Sequence, residues 1–124
     1  MGIPTEDDIA AGWIATQEHW WAWEAMDRAC HKEPELAWKL IITVLSLTES
    51  DRVIENLGAG PLEDLLAIHG DKLIDRAETL ASQEPKFHRC LSHTWQNNMS
   101  PGVWKRVCRA TGRNPSSIYG QRAT

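Results

Sequence analysis

The chain has 124 residues, 42% of them apolar and 24% charged, with a formal net charge of −4. That balance suits one soluble domain, and the apolar fraction excludes a disordered chain. No apolar run nears the ~18 residues of a membrane span.

The charge is divided unevenly. Residues 1–84 hold all 17 Asp and Glu against 6 Lys and Arg, a balance of −11, whereas residues 85–124 hold 7 Lys and Arg and stand at +7. Such asymmetry bears on partners more than on fold, and pairing between the two parts is its simplest reading. The acidic start, Met1 to Asp8, lacks an apolar signal core. Cys30, Cys90 and Cys108 are an odd number at no regular spacing, which suits free thiols. A cytoplasmic location is the expectation.

Thr5-Glu6-Asp7-Asp8 has the form of a capping box, with acids at the positive end of a helix dipole. Ile9, Trp13 and Trp20 follow on one helical stripe, so the spacing predicts a single helix from Thr5 to about Cys30. Glu33-Pro34 opens a second helix, to Leu47, because proline fits the first turn where its missing N–H costs nothing. It is apolar on nearly every side and is expected to be central. Asp51 to Leu57 forms a short helix that Gly58 stops, and Gly60-Pro61 restarts the chain into Leu62–His69, closed by Gly70 as a left-handed cap. Asp71 caps the next helix, which turns Leu73, Ile74, Ala77, Leu80 and Ala81 inward. Glu84-Pro85 opens one with Phe87, Leu91 and Trp95 on its buried side. Ser100-Pro101 opens the last, with Val103, Trp104, Val107 and Cys108 inward and Gly112 at its end.

No stretch alternates with the period of two that a strand needs. The expected fold is all-α: a compact domain of six to seven short helices over 1–112, without a sheet, followed by a flexible basic tail over 113–124 in which Ile118 and Tyr119 could dock. The shared helix starts Glu33-Pro34-Glu35-Leu36 and Glu84-Pro85-Lys86-Phe87 hint at stacked, repeat-like helix pairs.

Ala59-Gly60-Pro61-Leu62-Glu63-Asp64-Leu65-Leu66-Ala67-Ile68-His69-Gly70 is the most distinctive string. Its acids suit a first helical turn, while a small-molecule or metal-dependent polar site of Glu63, Asp64 and His69 is the functional alternative. His69 stands five or six positions beyond the acids, off the one-face spacings of three and four. The string resembles the hallmark of an uncharacterised family of small bacterial proteins. In that family a tryptophan-rich helix, here His19-Trp20-Trp21-Ala22-Trp23, and a Pro-x-x-x-Trp helix, here Pro34 to Trp38, precede the hallmark. The similarity spans roughly residues 13–110. It implies a helical domain of bacterial or phage origin, with no activity, cofactor or catalytic residue to carry over.

Metal chemistry has little support. His88, Cys90 and His93 lack paired ligand spacing, and His88 points away from the face that Cys90 and His93 share. Cys30 and His31, as helix neighbours, point about 100° apart, which opposes a nucleophile–base pair. Gly58-Ala59-Gly60-Pro61 has no following lysine and no preceding strand, so it is no phosphate loop. Neither metal nor cofactor is expected.

Lys105, Arg106 and Arg109 share one predicted helix face, continued by Arg113 and Arg122, and could meet phosphates. The acidic remainder of the chain would repel a polyanion, so nucleic acid is disfavoured. Trp13, Trp20, Trp38, Trp95 and Trp104 fit core positions, but Trp20, Trp21 and Trp23 cannot all face one neighbour, so Trp21 or Trp23 should be exposed. Exposed tryptophan beside acids is an interface anchor pattern; a stacking platform for a sugar or base is a lesser alternative. The leading expectation is a non-enzymatic, inhibitor- or immunity-type protein that meets a basic protein surface through Glu18, Trp21, Trp23, Glu24 and Asp27. Homodimerisation stays open.

Overall fold

The computed structural model describes residues 2–15 and 20–115. Seven α-helices occupy that range: α1 (Glu6–Ile14), α2 (Trp20–Lys32), α3 (Pro34–Leu47), α4 (Asp51–Leu57), α5 (Glu63–Gln83), α6 (Pro85–Ser92) and α7 (Pro101–Thr111). No strand occurs among the described residues. The all-α fold follows from the punctuation. Thr5 completes its box, its Oγ1 accepting from the Asp8 N–H at 3.1 Å while Asp8 accepts from the Thr5 N–H at 3.0 Å. Pro34, Pro85 and Pro101 sit in first turns, and Gly112 closes α7 at φ 74°. The two Glu-Pro starts mark matching junctions, where a single non-helical residue turns α2 into α3 and α5 into α6.

Three expectations are corrected. The helix predicted from Thr5 to Cys30 is two helices, α1 ending at Ile14 and α2 starting at Trp20. A straight rod buries one stripe, whereas the break lets α1 pack on both α2 and α3 and bury Ala10 and Trp13 beside Ala22 and Met26. Second, Gly58 does not stop the chain. It keeps helical angles and enters a π-helical turn, Gly58–Leu62, that leads straight into α5. Pro61 lies in that turn, and its lack of an N–H is tolerated where the ladder widens. Third, Gly70 is no left-handed cap and Asp71 no N-cap. α5 runs through both, kinked at His69 with φ −121° and ψ 20°.

Both glycines serve close packing. A Cβ on Gly58 would lie 2.1 Å from the Cys90 carbonyl oxygen of α6, and one on Gly70 would lie 2.8 Å from Cγ1 of Val103 in α7. The core they admit joins Leu40, Ile41 and Val44 of α3 to Leu65, Leu66 and Leu73 of α5, with Phe87, Leu91 and Val107 beyond. Trp38 is half-buried, tilted against Phe87 at 5.4 Å, with the Arg76 guanidinium over its ring.

The divided charge is spent largely inside the molecule. Lys86 donates to the Leu45 and Thr48 carbonyls at 3.0 and 2.8 Å, closing the end of α3, and pairs with Glu49. Arg113 does the same for α6, donating to the Leu91 and Thr94 carbonyls at 3.1 and 2.7 Å while it covers the Trp104 ring. Arg89 pairs with Asp51, and Arg106 bridges Asp75 and Glu78 of α5. Internal complementarity therefore uses three cations of the basic end, Lys86, Arg89 and Arg106, while Arg113 is spent on carbonyls of that same end. Arg113, assigned by sequence to the tail, belongs to the packed body; Ile118, Tyr119 and Arg122 lie outside the described residues.

Candidate protein-binding surface

Helix α2 sorts its residues by face. Ala22, Met26, Ala29 and Cys30 are buried against α1, α3 and α5. At about 100° per residue, Trp23, Asp27, Trp20 and Glu24 fall on one flank of the remaining surface, while Arg28, Trp21 and Lys32 fall on the other. Trp20 is 64% exposed, Trp21 42% and Trp23 44%. The expectation that Trp20 fills the core is thus corrected. Its phase was set by continuing the stripe from Trp13, and the break after Ile14 resets that phase. Trp13 and Trp104 are buried as expected, and Trp95 is half-buried.

Trp20 and Trp23, one turn apart, stack with ring centroids 5.5 Å apart and planes at 11°. Trp23 walls an open cleft of about 870 Å³ between the end of α1 and the α4–π turn, together with Trp13, Arg52, Asn56 and Pro61. Trp21 instead stands beside α1, near Asp8 and Gly12. The surface expected from Trp21, Trp23, Glu24 and Asp27 is therefore divided, with Trp21 on the opposite flank from Trp23. Glu18 lies outside the described residues.

At the foot of Trp23 is a small recess of about 70 Å³ bounded by Asp27, Cys30, Pro61 and Asp64. The Cys30 thiol donates to the Pro61 carbonyl at 3.4 Å, and burial, with Asp64 and Asp27 nearby, pushes it up to about 12. It stays protonated at neutral pH, as does Cys90, which burial also raises to about 12. Burial raises the Asp64 carboxyl above its ordinary range; the His31 ring opposes that shift and Asp27 adds to it. His31 donates through Nδ1 to the Asp27 carbonyl at 2.8 Å.

Glu63, Asp64 and His69, the polar site considered from sequence, do not converge: Glu63 engages the loop before α7, and Asp64 and His69 meet α2 at different places. Glu63 is buried and accepts from the Trp95 N–H at 2.7 Å and the Asn97 amide at 3.1 Å, tying α5 to the loop before α7. Asp64 faces α2. His69 donates through Nε2 to the His31 carbonyl at 3.0 Å. Sequence reasoning missed both Glu63 contacts and the meeting of Asp64 with Asp27, because the partners lie more than 30 positions away. The signal open to it was an acid at the start of a helix whose next residues, Leu65 and Leu66, are apolar.

Of the predicted basic face, Lys105 and Arg109 are exposed, while Arg106 is half-buried against α5. His93 turns toward Glu55 and Cys90 inward. Among the described residues no three His, Cys, Asp or Glu side chains are grouped to hold a metal. No helix there is long and apolar enough to cross a membrane.

Fold and surface together define a small helical protein with an aromatic, acid-edged flank on one helix. The chain belongs to a family of unknown function (DUF6869), whose model matches residues 11–114. That range contains the tryptophan-rich helix, the Pro34 helix and the string from Ala59 to Gly70. No curated protein and no solved structure matches the chain.

Proposed function

We propose that this chain is a non-enzymatic protein-binding module of the inhibitor or immunity type, of bacterial or phage origin, that covers a basic surface of a target protein. The observation that carries this reading is the stacked, solvent-exposed pair Trp20 and Trp23 beside Glu24 and Asp27. Large indoles left in water forfeit the stabilisation that burial supplies, and tryptophan is enriched among the residues that dominate interface affinity. Acids at the edge of such a patch speed encounter with a basic partner and fix its orientation. Trp21, on the other flank, extends the contact for a target that wraps the helix.

The test is capture from the native host with three forms of the full chain: wild type, Trp20→Ala with Trp23→Ala, and Glu24→Lys with Asp27→Lys. A target retained by the wild type and lost by both variants, at unchanged helix content by circular dichroism, supports the reading. Equal retention by all three refutes this surface.

A further inference from the structure

We propose that the Trp20–Trp23 flank docks a basic segment of its partner by taking an arginine side chain into the recess between Trp23, Asp27 and Asp64, the guanidinium lying on the indole with its N–H groups turned to the two carboxylates. This rests on the docking surface proposed above and specifies what that surface recognises.

Three observations converge on a cation with a flat, forked head. The first is the aromatic wall. Trp23 is 44% exposed, stacks on Trp20 and lines the recess. An indole face attracts a cation through its quadrupole, and arginine adds planar stacking that lysine lacks. The second is the pair of carboxylates on different helices, Asp27 of α2 and Asp64 of α5, at the edge of one recess. Asp64 is half-buried, and among the described residues the basic group that acts on its carboxylate is the His31 ring, with no lysine or arginine paired to it. Two acids that face one partly dry space are relieved by a cation between them, and a guanidinium can meet both through its fork. The third is size. The recess, at about 70 Å³, has room for about two water molecules at a liquid volume near 30 Å³ each, which suits one side-chain head group and not a folded surface.

The charge around the flank agrees. Arg28 and Lys32 of α2 lie on the opposite flank with Trp21, and His31 donates to the Asp27 carbonyl at 2.8 Å while standing 3.7 Å from its Oδ1. Arg52 lines the larger cleft, not the recess. Among the described residues Arg76 is engaged with Glu35, Arg89 with Asp51, Arg106 with Asp75 and Glu78, and Arg113 with the Leu91 and Thr94 carbonyls. Cys30 and Pro61, which form the floor, satisfy each other. The acceptors that line the recess are thus the carboxylates of Asp27 and Asp64, with the His31 ring as their basic neighbour at 3.7 Å from Asp27 Oδ1.

The probe is a blocked tetra-arginine peptide, acetylated and amidated, titrated into the uniformly ¹⁵N-labelled full chain, with blocked tetra-lysine and tetra-citrulline for comparison. The readout is the indole N–H resonance of Trp23, assigned by its loss in Trp23→Phe. Tetra-arginine should move it saturably, tetra-lysine should bind several-fold more weakly, and the neutral citrulline peptide should leave it in place. Asp27→Asn with Asp64→Asn should weaken tetra-arginine about tenfold, the scale of one charge-assisted hydrogen bond, while Asp7→Asn on α1 changes it little. Equal binding of arginine and citrulline peptides overturns the proposal, as does arginine binding that ignores the double variant. Equal binding of tetra-lysine overturns the guanidinium assignment. If host capture depends on Trp20 and Trp23 but the peptide does not discriminate, the protein-binding reading stands and the arginine recess falls. The reverse pattern leaves the recess and removes the module reading.

Discussion

Truncating Glu63 separates a structural carboxylate from a chemical one. Its two oxygens accept from the Trp95 N–H and the Asn97 side-chain amide, and the residue is 3% exposed. Glu63→Ala removes both acceptors at once. Leaving a buried donor without a partner costs about 1–3 kcal/mol, so two partly shielded donors should cost about 3 kcal/mol together. A domain of this size loses about 3–5 °C of melting temperature per kcal/mol, which places the fall near 10 °C. Glu63→Gln keeps one accepting oxygen and should lose roughly half as much. Asn97 holds a left-handed backbone at φ 49°, so Asn97→Ala should lose both its amide bond and the tolerance that asparagine has for that conformation, about 1–2 kcal/mol. Thermal melts by circular dichroism, with urea titrations for the free energies, measure all three. A Glu63→Ala melt within 2 °C of wild type would refute the structural assignment and return Glu63 to the list of groups available for chemistry.

Gly58→Ala should cost about 1–3 kcal/mol, because its Cβ meets a carbonyl oxygen of α6 that no rotamer can move, whereas Gly60→Ala meets nothing within 4 Å and should be neutral or stabilising in the same urea titration. Gly70→Ala clashes only with the Val103 side chain, so a double-mutant cycle with Val103→Ala should recover part of its cost; strict additivity would sink that explanation. The raised Asp64 carboxyl penalises the fold once it ionises. Asp64→Asn should therefore raise the melting temperature at pH 7 and match wild type below the ordinary aspartate value of 3.8; a lower melting temperature at pH 7 would contradict this. Glu78 has the opposite sign, since hydrogen bonding to Arg106 holds it below its ordinary 4.5. Its contribution is complete above 4.5 and lost as pH falls through the lowered value, so Glu78→Gln should flatten the acid decline of the urea midpoint.

What was legible in the sequence is what is local. A capping box, a first-turn proline and a glycine C-cap act within four residues, so Thr5, Pro34, Pro85, Ser100-Pro101 and Gly112 marked true ends. Gly58 and Gly70 misled for a physical reason. A missing Cβ serves equally to end a helix and to admit a neighbour, and the neighbours, Cys90 and Val103, lie over 30 positions on. Trp20 misled because its stripe holds only if the helix from Trp13 is unbroken. The divided charge could be counted from the chain, but only the fold shows that Lys86 and Arg113 close helix ends. The candidate surface was legible in composition and not in arrangement: α2 was marked by its tryptophans, while Asp64 became part of it only when α5 packed against α2.

The conspicuous string from Ala59 to Gly70 acquires its meaning from that packing. Pro61 accepts from Cys30 and His69 donates to the His31 carbonyl, so α5 is fastened to α2 on both sides of Asp64. Glu63 fastens the same turn to the loop before α7, and Gly70 lets α7 close on its far side. Those contacts all stabilise. The features that cost stability are Trp20 and Trp23 in water and an ionised Asp64 held partly dry, and they lie together on the flank that the fastenings frame. Where activity or binding needs a destabilised site, stability and function trade off against each other. Costs gathered at one place, with support built around them, are what the proposed binding surface calls for.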